Sequence, residues 1–200
     1  MKKKLIAVMA IVMTMSLITC TACKKKQKKA NPNVKVGEDY FPEVIFSTKD
    51  MDGNPIDETI FAEHKLTMIN FWEPWCGPCV SEMADLEKLY KNYKDQGFYI
   101  IGIYSSTDEK SEVKKIMSQA GTTYPIATYD DAFARFQSGA VPTSIFIDEN
   151  GWVLPLSAQD ADKLFVGAGT YEQWEALIKT YLDYEEPQYG EETLISEKLQ

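Results

Sequence analysis

Two cysteines separated by two residues, in the string Trp75-Cys76-Gly77-Pro78-Cys79, are the feature that most constrains the fold of this chain. A run of apolar, β-branched and aromatic residues, 66–72, comes directly before them, and a helical pattern follows directly after. The cysteines therefore lie at a predicted junction between a buried strand and a helix. A thiol at a helix N-terminus faces unpaired N–H groups and the positive end of the helix dipole, which lower its pKa below the free value of about 8.5.

This placement predicts a division of labour between the cysteines. We expect Cys76 to be the nucleophile, and Cys79, one turn later on the same face, to attack a mixed disulfide formed at Cys76. The Cys76–Cys79 disulfide is then the redox group, and no further cofactor and no metal is expected. The same spacing also occurs in half of a structural zinc site, but the other ligands would have to come from His64, the only histidine, and from two cysteines near the N-terminus.

These residues resemble the active site of the thioredoxin superfamily. The longer string, with Asn70-Phe71-Trp72 before the cysteines and Glu82-Met83 after them, resembles the extracytoplasmic TlpA/ResA branch of thiol-disulfide oxidoreductases. The resemblance implies an α/β, thioredoxin-like fold with a central mixed β-sheet flanked by helices. It also implies an N-terminal β-hairpin and a helix-plus-strand insertion at about residues 107–126. We expect one such domain at residues 39–184.

The sequence pattern agrees with this architecture, because strand and helix signals alternate along the chain. Asp52-Gly53 predicts the turn of a hairpin between residues 40–47 and 55–60. Ser106-Thr107-Asp108-Glu109 and Thr170-Tyr171-Glu172-Gln173 have the form of capping boxes, so each predicts the start of a helix. Further strands are predicted at residues 98–104, 144–147, 152–154 and 164–168.

The resemblance also assigns a docking surface. It implies that Val141-Pro142-Thr143 contains a cis peptide bond, lies against the cysteine loop and presents backbone to an extended substrate. The active-site loop consists of Trp75, Gly77 and Pro78 around the cysteines, and we expect Trp75 to form part of the same surface.

The proton acceptor for Cys79 is left open by the sequence. Asn70 occupies the place where cytoplasmic thioredoxins have a buried aspartate that assists this deprotonation. Glu73 is one candidate, although its turn is predicted to be exposed, where a solvated charge is the common alternative. Glu82, one turn after Cys79, is another, and it could equally be a residue of the helix surface.

The N-terminus predicts export. Residues 1–23 combine a lysine-rich start with an apolar stretch of signal-peptide length, and Cys23 or Cys20 resembles the lipidated cysteine of bacterial lipoproteins. Residues 24–38 form a basic tether. An uncleaved signal anchor is the alternative, and both interpretations place the folded part outside the cytoplasm at the membrane.

Charge excludes one class of partner. Eight of the 21 Lys and Arg precede residue 31, whereas all 30 Asp and Glu follow it, so residues 31–200 carry 13 − 30 = −17. Such a surface repels phosphate backbones, and we expect no nucleic-acid binding. We expect a monomer, with residues 185–200 as an acidic, solvated tail. The sequence does not indicate a function for the segment at residues 156–163, which interrupts the predicted hairpin.

The sequence thus predicts an exported, membrane-anchored thiol-disulfide oxidoreductase that reduces disulfides in proteins. A transmembrane thiol carrier of the CcdA/DsbD type is the expected electron donor. A disulfide oxidase or isomerase, a thiol peroxidase of the redoxin type and a non-catalytic binding lipoprotein are the alternatives. Against the peroxidase, Ile69 and Glu73 stand where the peroxidatic motif would have Pro and Thr.

Overall fold

The computed structural model describes residues 43–156 and 163–183. The predicted signal peptide, tether and acidic tail, and most of the interruption at 156–163, lie outside these residues. None of the helices within them has the length and apolar character needed to cross a bilayer. The described strands are β1 (Ser47–Lys49), β2 (Pro55–Asp57), β3 (Leu66–Phe71), β4 (Phe98–Tyr104), β5 (Ile126–Thr128), β6 (Thr143–Asp148) and β7 (Phe165–Val166), and the α-helices are α1 (Gly77–Tyr93), α2 (Lys110–Ala120) and α3 (Tyr171–Leu182).

In the described part of the chain, five strands form one mixed sheet in the order β5-β4-β3-β6-β7. The central strand, β3, pairs parallel with β4 and antiparallel with β6, and all six of its residues are buried. This explains why the mostly apolar run in the sequence shows no alternation of apolar and polar residues, because a strand covered on both faces has no solvent side. The predicted central strand and mixed sheet are confirmed.

The two faces of the sheet pack against different layers. Leu66 and Met68 contribute to a core shared with α1, α2 and α3, whereas Ile69 and Phe71 belong to a second core with the hairpin side of the molecule. Because side chains alternate along a strand, Asn70 points to the same face as Met68, towards the helices. This alternation brings a polar side chain beneath the helix that carries the cysteines.

The N-terminal hairpin is confirmed, but its bounds differ from the prediction: β1 begins at Ser47, where the predicted strand 40–47 ends, and β2 covers only the first half of the predicted strand 55–60. β1 and β2 pair antiparallel, with Ser47 opposite Asp57. In the turn, the Asp50 carboxylate accepts hydrogen bonds from the backbone N–H groups of Asp52 and Asn54, and Gly53 adopts a φ of 85°.

The helix-plus-strand segment lies where the sequence predicted it: α2 follows β4, and β5 pairs parallel with β4 at the sheet edge. The predicted capping box at Ser106 is wrong. Ser106 makes no side-chain cap, and α2 begins only at Lys110 after a 3₁₀ turn over Thr107–Glu109. The Glu73 carboxylate accepts hydrogen bonds from the backbone N–H groups of Ser105 and Ser106, at 2.8 and 3.2 Å. The loop before α2 is therefore fixed by a residue that lies outside that helix.

The C-terminal part completes the sheet with less regular structure than predicted. The expected strand at 152–154 reduces to one bridge, between Ile147 and Val153, and β7 pairs with the beginning of β6. The capping box of α3 is confirmed, because Thr170 and Gln173 exchange side-chain-to-backbone hydrogen bonds of 3.3 and 2.9 Å.

Candidate active site

The two motif cysteines form a disulfide at the junction between β3 and α1. Their sulfurs are 2.05 Å apart and their Cα atoms 5.3 Å apart. Cys76 is the N-cap residue of α1 and Cys79 lies in its first turn. Cys76 is 5% exposed and Cys79 is 1% exposed, so Cys76 is the more exposed residue of the pair.

The start of α1 supplies electrostatic support to Cys76. The backbone N–H of Cys79 donates a hydrogen bond to Cys76 Sγ at 3.3 Å. Pro78 fits the first turn because a donor is not needed at that position. In the dithiol form, the same N–H and the positive end of the helix dipole stabilise a thiolate at Cys76.

The loop before β6 lies against the disulfide at Cys76. The Val141–Pro142 peptide bond is cis, as the family resemblance implied, and the Val141 carbonyl oxygen lies 3.5 Å from Cys76 Sγ. The Pro142 carbonyl accepts a hydrogen bond from the backbone N–H of Gly167, and Thr143 Oγ1 donates to the Ala140 carbonyl, both at 2.8 Å. These bonds fix the end of the loop that leads into β6.

Trp75 is an exposed aromatic side chain next to Cys76 in the sequence. It precedes Cys76 and is 67% exposed, whereas Trp72 is buried in the core. An exposed indole next to a reactive sulfur provides contact area for an incoming polypeptide. Of the two tryptophans, only Trp75 therefore has the exposure that a docking role requires.

Behind the cysteines lies a buried carboxylate, Glu82, which is 3% exposed. Asn70 Nδ2 donates to Glu82 Oε1 at 3.0 Å and also to Ser144 Oγ at 3.0 Å. On the other carboxylate oxygen, the Gly169 backbone N–H and Trp174 Nε1 donate at 3.0 and 3.3 Å.

Burial is the largest influence on Glu82, and it raises the pKa of this carboxyl above its usual value. The hydrogen bonds from Gly169, Asn70 and Trp174 act in the opposite direction without reversing the shift. The prediction that Glu82 could be a helix-surface residue is therefore wrong. Asn70 holds one of its oxygens in place.

Glu73 also differs from expectation, because it is 7% exposed rather than solvated. Besides its bonds to the backbone of the loop, its carboxylate accepts a short hydrogen bond from Ser105 Oγ. Its backbone carbonyl accepts a hydrogen bond from the Cys76 N–H at 3.0 Å. The side chain thus fixes the loop after β4, while the main chain fixes the nucleophile.

Sequence reasoning missed Gly169 and Trp174, which complete the Glu82 environment. They follow Glu82 by 87 and 92 residues, so no local pattern connects them. A Cβ atom at Gly169 would lie 2.4 Å from Trp174 Cε2, which is closer than real contacts allow. The only available signal was a glycine placed immediately before a capping box, and that signal did not indicate a role.

The described residues contain no group of three or more His, Cys, Asp or Glu side chains placed to hold a metal ion. His64 stacks on Tyr99 with ring centroids 4.0 Å apart, and burial lowers its pKa to about 4.

Comparisons with known proteins agree with this site. The Redoxin family profile matches residues 27–164. Thiol-disulfide oxidoreductase ResA from Bacillus thuringiensis (strain Al Hakam) is 31% identical over 136 residues, which cover 67% of this chain and 73% of that protein. ResA from Geobacillus kaustophilus (strain HTA426) is 35% identical over 100 residues, covering 46% of this chain and 57% of that protein.

Solved structures share the fold. A thiol:disulfide interchange protein of the thioredoxin family from Chlorobium tepidum TLS aligns with a TM-score of 0.59 and 27% identity, over 70% of this chain and 95% of that one. StoA from Bacillus subtilis aligns with a TM-score of 0.54 and 21% identity, over 70% and 98%, which supports the fold alone. Because the family profile covers more than half of the chain and the relatives agree with it, the chain belongs to the redoxin family, as a thiol-disulfide oxidoreductase of the TlpA/ResA type within the thioredoxin superfamily.

Proposed function

We propose that this oxidoreductase acts outside the cytoplasm as a reductase of protein disulfides. The observation that carries the proposal is the placement of Cys76 at the N-cap of α1, 3.5 Å from the Val141 carbonyl and more exposed than Cys79. A thiolate at this position can attack a disulfide that lies along the loop, while Cys79 stays protected beneath it.

The reaction proceeds in two exchanges. The Cys76 thiolate attacks one sulfur of the substrate disulfide, which forms a mixed disulfide and releases the other substrate sulfur as a thiolate. Cys79 then loses its proton and attacks the Cys76 sulfur, which forms the Cys76–Cys79 disulfide and releases the second substrate thiolate. The substrate gains two electrons and the protein dithiol loses two.

Glu82 is the proton acceptor that we propose for Cys79. It lies one helical turn after Cys79, and burial raises its pKa above the ordinary value, so that its carboxylate binds a proton more readily than a solvated carboxylate does. Asn70 serves to orient this carboxylate. Glu73 is not proposed for proton transfer, because its carboxylate is committed to the loop at Ser105 and Ser106.

The location and partners are part of the same proposal. The signal-like segment at residues 1–23 and the adjacent cysteines support lipid attachment at Cys23 or Cys20. The oxidised protein needs electrons from across the membrane, and we propose a thiol carrier of the CcdA/DsbD type as their source. Anchorage beside such a carrier would raise the effective concentration of the two dithiols. Mass spectrometry of the mature N-terminus should find a diacylated cysteine, and an unmodified soluble form would contradict this part.

The activity is tested by dithiol-dependent reduction of insulin, with consumption of peroxide measured as the control. Reduction of insulin without peroxide consumption is the expected result. Peroxide consumption without insulin reduction would favour the thiol peroxidase. Neither activity, in a protein that keeps its fold, would favour a non-catalytic binding lipoprotein.

A further inference from the structure

A cavity of about 180 Å³ lies close to the Cys76–Cys79 disulfide, and neither cysteine lines it. Its apolar and aromatic lining includes Phe71, Ile103 and Tyr129, and its polar lining includes Glu73, Ser105 and Gln137. An engineered cavity of about 150 Å³ in another protein holds benzene, so this cavity has room for one large side chain.

The cavity is connected to the reacting sulfur through two residues that contact Cys76. Val141 lines the cavity, and its carbonyl oxygen is 3.5 Å from Cys76 Sγ. Glu73 lines it as well, and its carbonyl accepts the Cys76 N–H. A polypeptide whose cysteine is joined to Cys76 therefore has a neighbouring side chain within reach of the cavity.

The Glu73 carboxylate gives the cavity its chemical preference. It accepts three hydrogen bonds, from the N–H and Oγ of Ser105 and the N–H of Ser106, and a carboxylate offers about four acceptor positions. Among the residues that the structure describes, no Lys, Arg or His lies within ion-pair distance of it. A buried carboxylate is stabilised by a cation, and the described residues do not supply one here.

Two further features favour a cationic occupant. Phe71 and Tyr129 line the cavity, and aromatic side chains can pack against the stem of a long basic side chain or against its charged end. Residues 31–200 carry a net charge of −17, which attracts basic segments towards the protein and repels acidic ones.

We propose that this cavity is a specificity subsite, which binds an arginine or lysine side chain close to the reactive cysteine of the substrate polypeptide. Glu73 contacts that cation, and Gln137 lies at the rim. This inference rests on the proposed function, and it adds the chemical class of substrate that the reductase prefers.

The test uses short peptides with one cysteine, activated as a mixed disulfide with thionitrobenzoate, whose release is coloured. Attack by Cys76 on the peptide sulfur releases thionitrobenzoate, and Cys79 then releases the peptide thiol. Arginine is placed one or two residues before or after the cysteine, and citrulline, which has nearly the same shape without the charge, is the matched control. The protein is the full-length reduced chain with Cys20 and Cys23 replaced by Ser.

The rate of thionitrobenzoate release by the protein is divided by the rate at which dithiothreitol releases it from the same peptide. This ratio corrects for the intrinsic reactivity of each peptide. We expect the arginine peptide to react at least about tenfold faster than the citrulline peptide at one or more of the positions, as a charge-assisted hydrogen bond allows. The ratio should approach one in Glu73→Gln. It should also fall in Gln137→Lys, which brings a competing cation to the rim and leaves the hydrogen bonds of Glu73 in place.

A ratio near one at every position in the unmodified site would overturn the proposal. A preference that persists in both variants would also overturn it, because general surface charge would then be the cause. If Glu73→Gln does not fold, the Gln137→Lys ratio decides. Equal peptide rates together with insulin reduction would refute the subsite alone, whereas an arginine preference without insulin reduction would support the subsite and refute the protein-reductase function.

Discussion

Replacement of Glu82 by Gln should change how the stability of the oxidised protein depends on pH. Burial raises the pKa of Glu82 in the folded state above its ordinary value of 4.5. The folded protein therefore retains this proton at pH values where the unfolded chain has lost it. The stabilisation is complete below about pH 4.5 and is lost as pH rises through the folded pKa, with a slope of at most about 1.4 kcal/mol per pH unit.

The Gln side chain does not titrate, so Glu82→Gln removes this slope. Its stability relative to the parent should rise between pH 4.5 and the folded pKa of Glu82, and should then become constant. Any cost of rearranged hydrogen bonds to Asn70, Gly169 and Trp174 shifts the whole curve without changing its shape. The measurement is urea unfolding of the oxidised proteins between pH 3 and 8.

Glu87 is the matched control, because it is a buried glutamate on the same helix with the opposite shift. Burial raises the pKa of Glu87, but hydrogen bonds from Lys91 and Thr123 outweigh this effect and lower it overall. Glu87→Gln should therefore lose stability relative to the parent as pH rises from 3 to 5. A difference between Glu82→Gln and the parent that is constant from pH 4 to 8 would refute the buried, raised-pKa description of Glu82.

Three further predictions follow from the described contacts. Cys76→Ser should abolish turnover and covalent capture of substrates, whereas Cys79→Ser should accumulate mixed disulfides; capture by the former variant alone, seen on non-reducing gels, would reverse the assignment. Gly169→Ala should destabilise the protein by about 1–3 kcal/mol, because its Cβ would lie 2.4 Å from Trp174, and denaturant unfolding measures the loss. Burial disfavours protonation of His64, so the parent should lose at most about 3 kcal/mol of stability as pH falls from 6.5 to about 4. His64→Phe should not show this loss. The same loss of stability in the variant over this pH range would contradict the prediction.

The parts of the fold that local patterns determine could be predicted. The mostly apolar, non-alternating run at residues 66–72 identified the central strand, because burial on both faces removes alternation. The Thr170 capping box succeeded because both of its partners lie within one helical turn. Gly53 marked the hairpin turn through its need for a positive φ.

The errors arose where distant residues replaced a local interaction. The Ser106 capping box failed because Glu73, more than 30 residues earlier, binds the backbone N–H groups of that loop. The surroundings of Glu82 were not predictable, since Gly169 and Trp174 approach it only through the packing of the last helix on α1. The sequence therefore predicted the cysteines of the site, but not the distant residues that surround Glu82 behind them.

The reduction potential of the Cys76–Cys79 couple decides whether the protein donates electrons or disulfides. The filling Gly77-Pro78 is that of thioredoxin, whose potential is about −270 mV, whereas the oxidant DsbA has about −120 mV. Neither Gly77 nor Pro78 has a charged or hydrogen-bond-donating side chain that would strongly stabilise the thiolate of the reduced form. Equilibration with glutathione or dithiothreitol buffers should give a value closer to that of thioredoxin. A potential near or above about −150 mV would mean that the protein donates disulfides, and the account of it as a reductase would be contradicted.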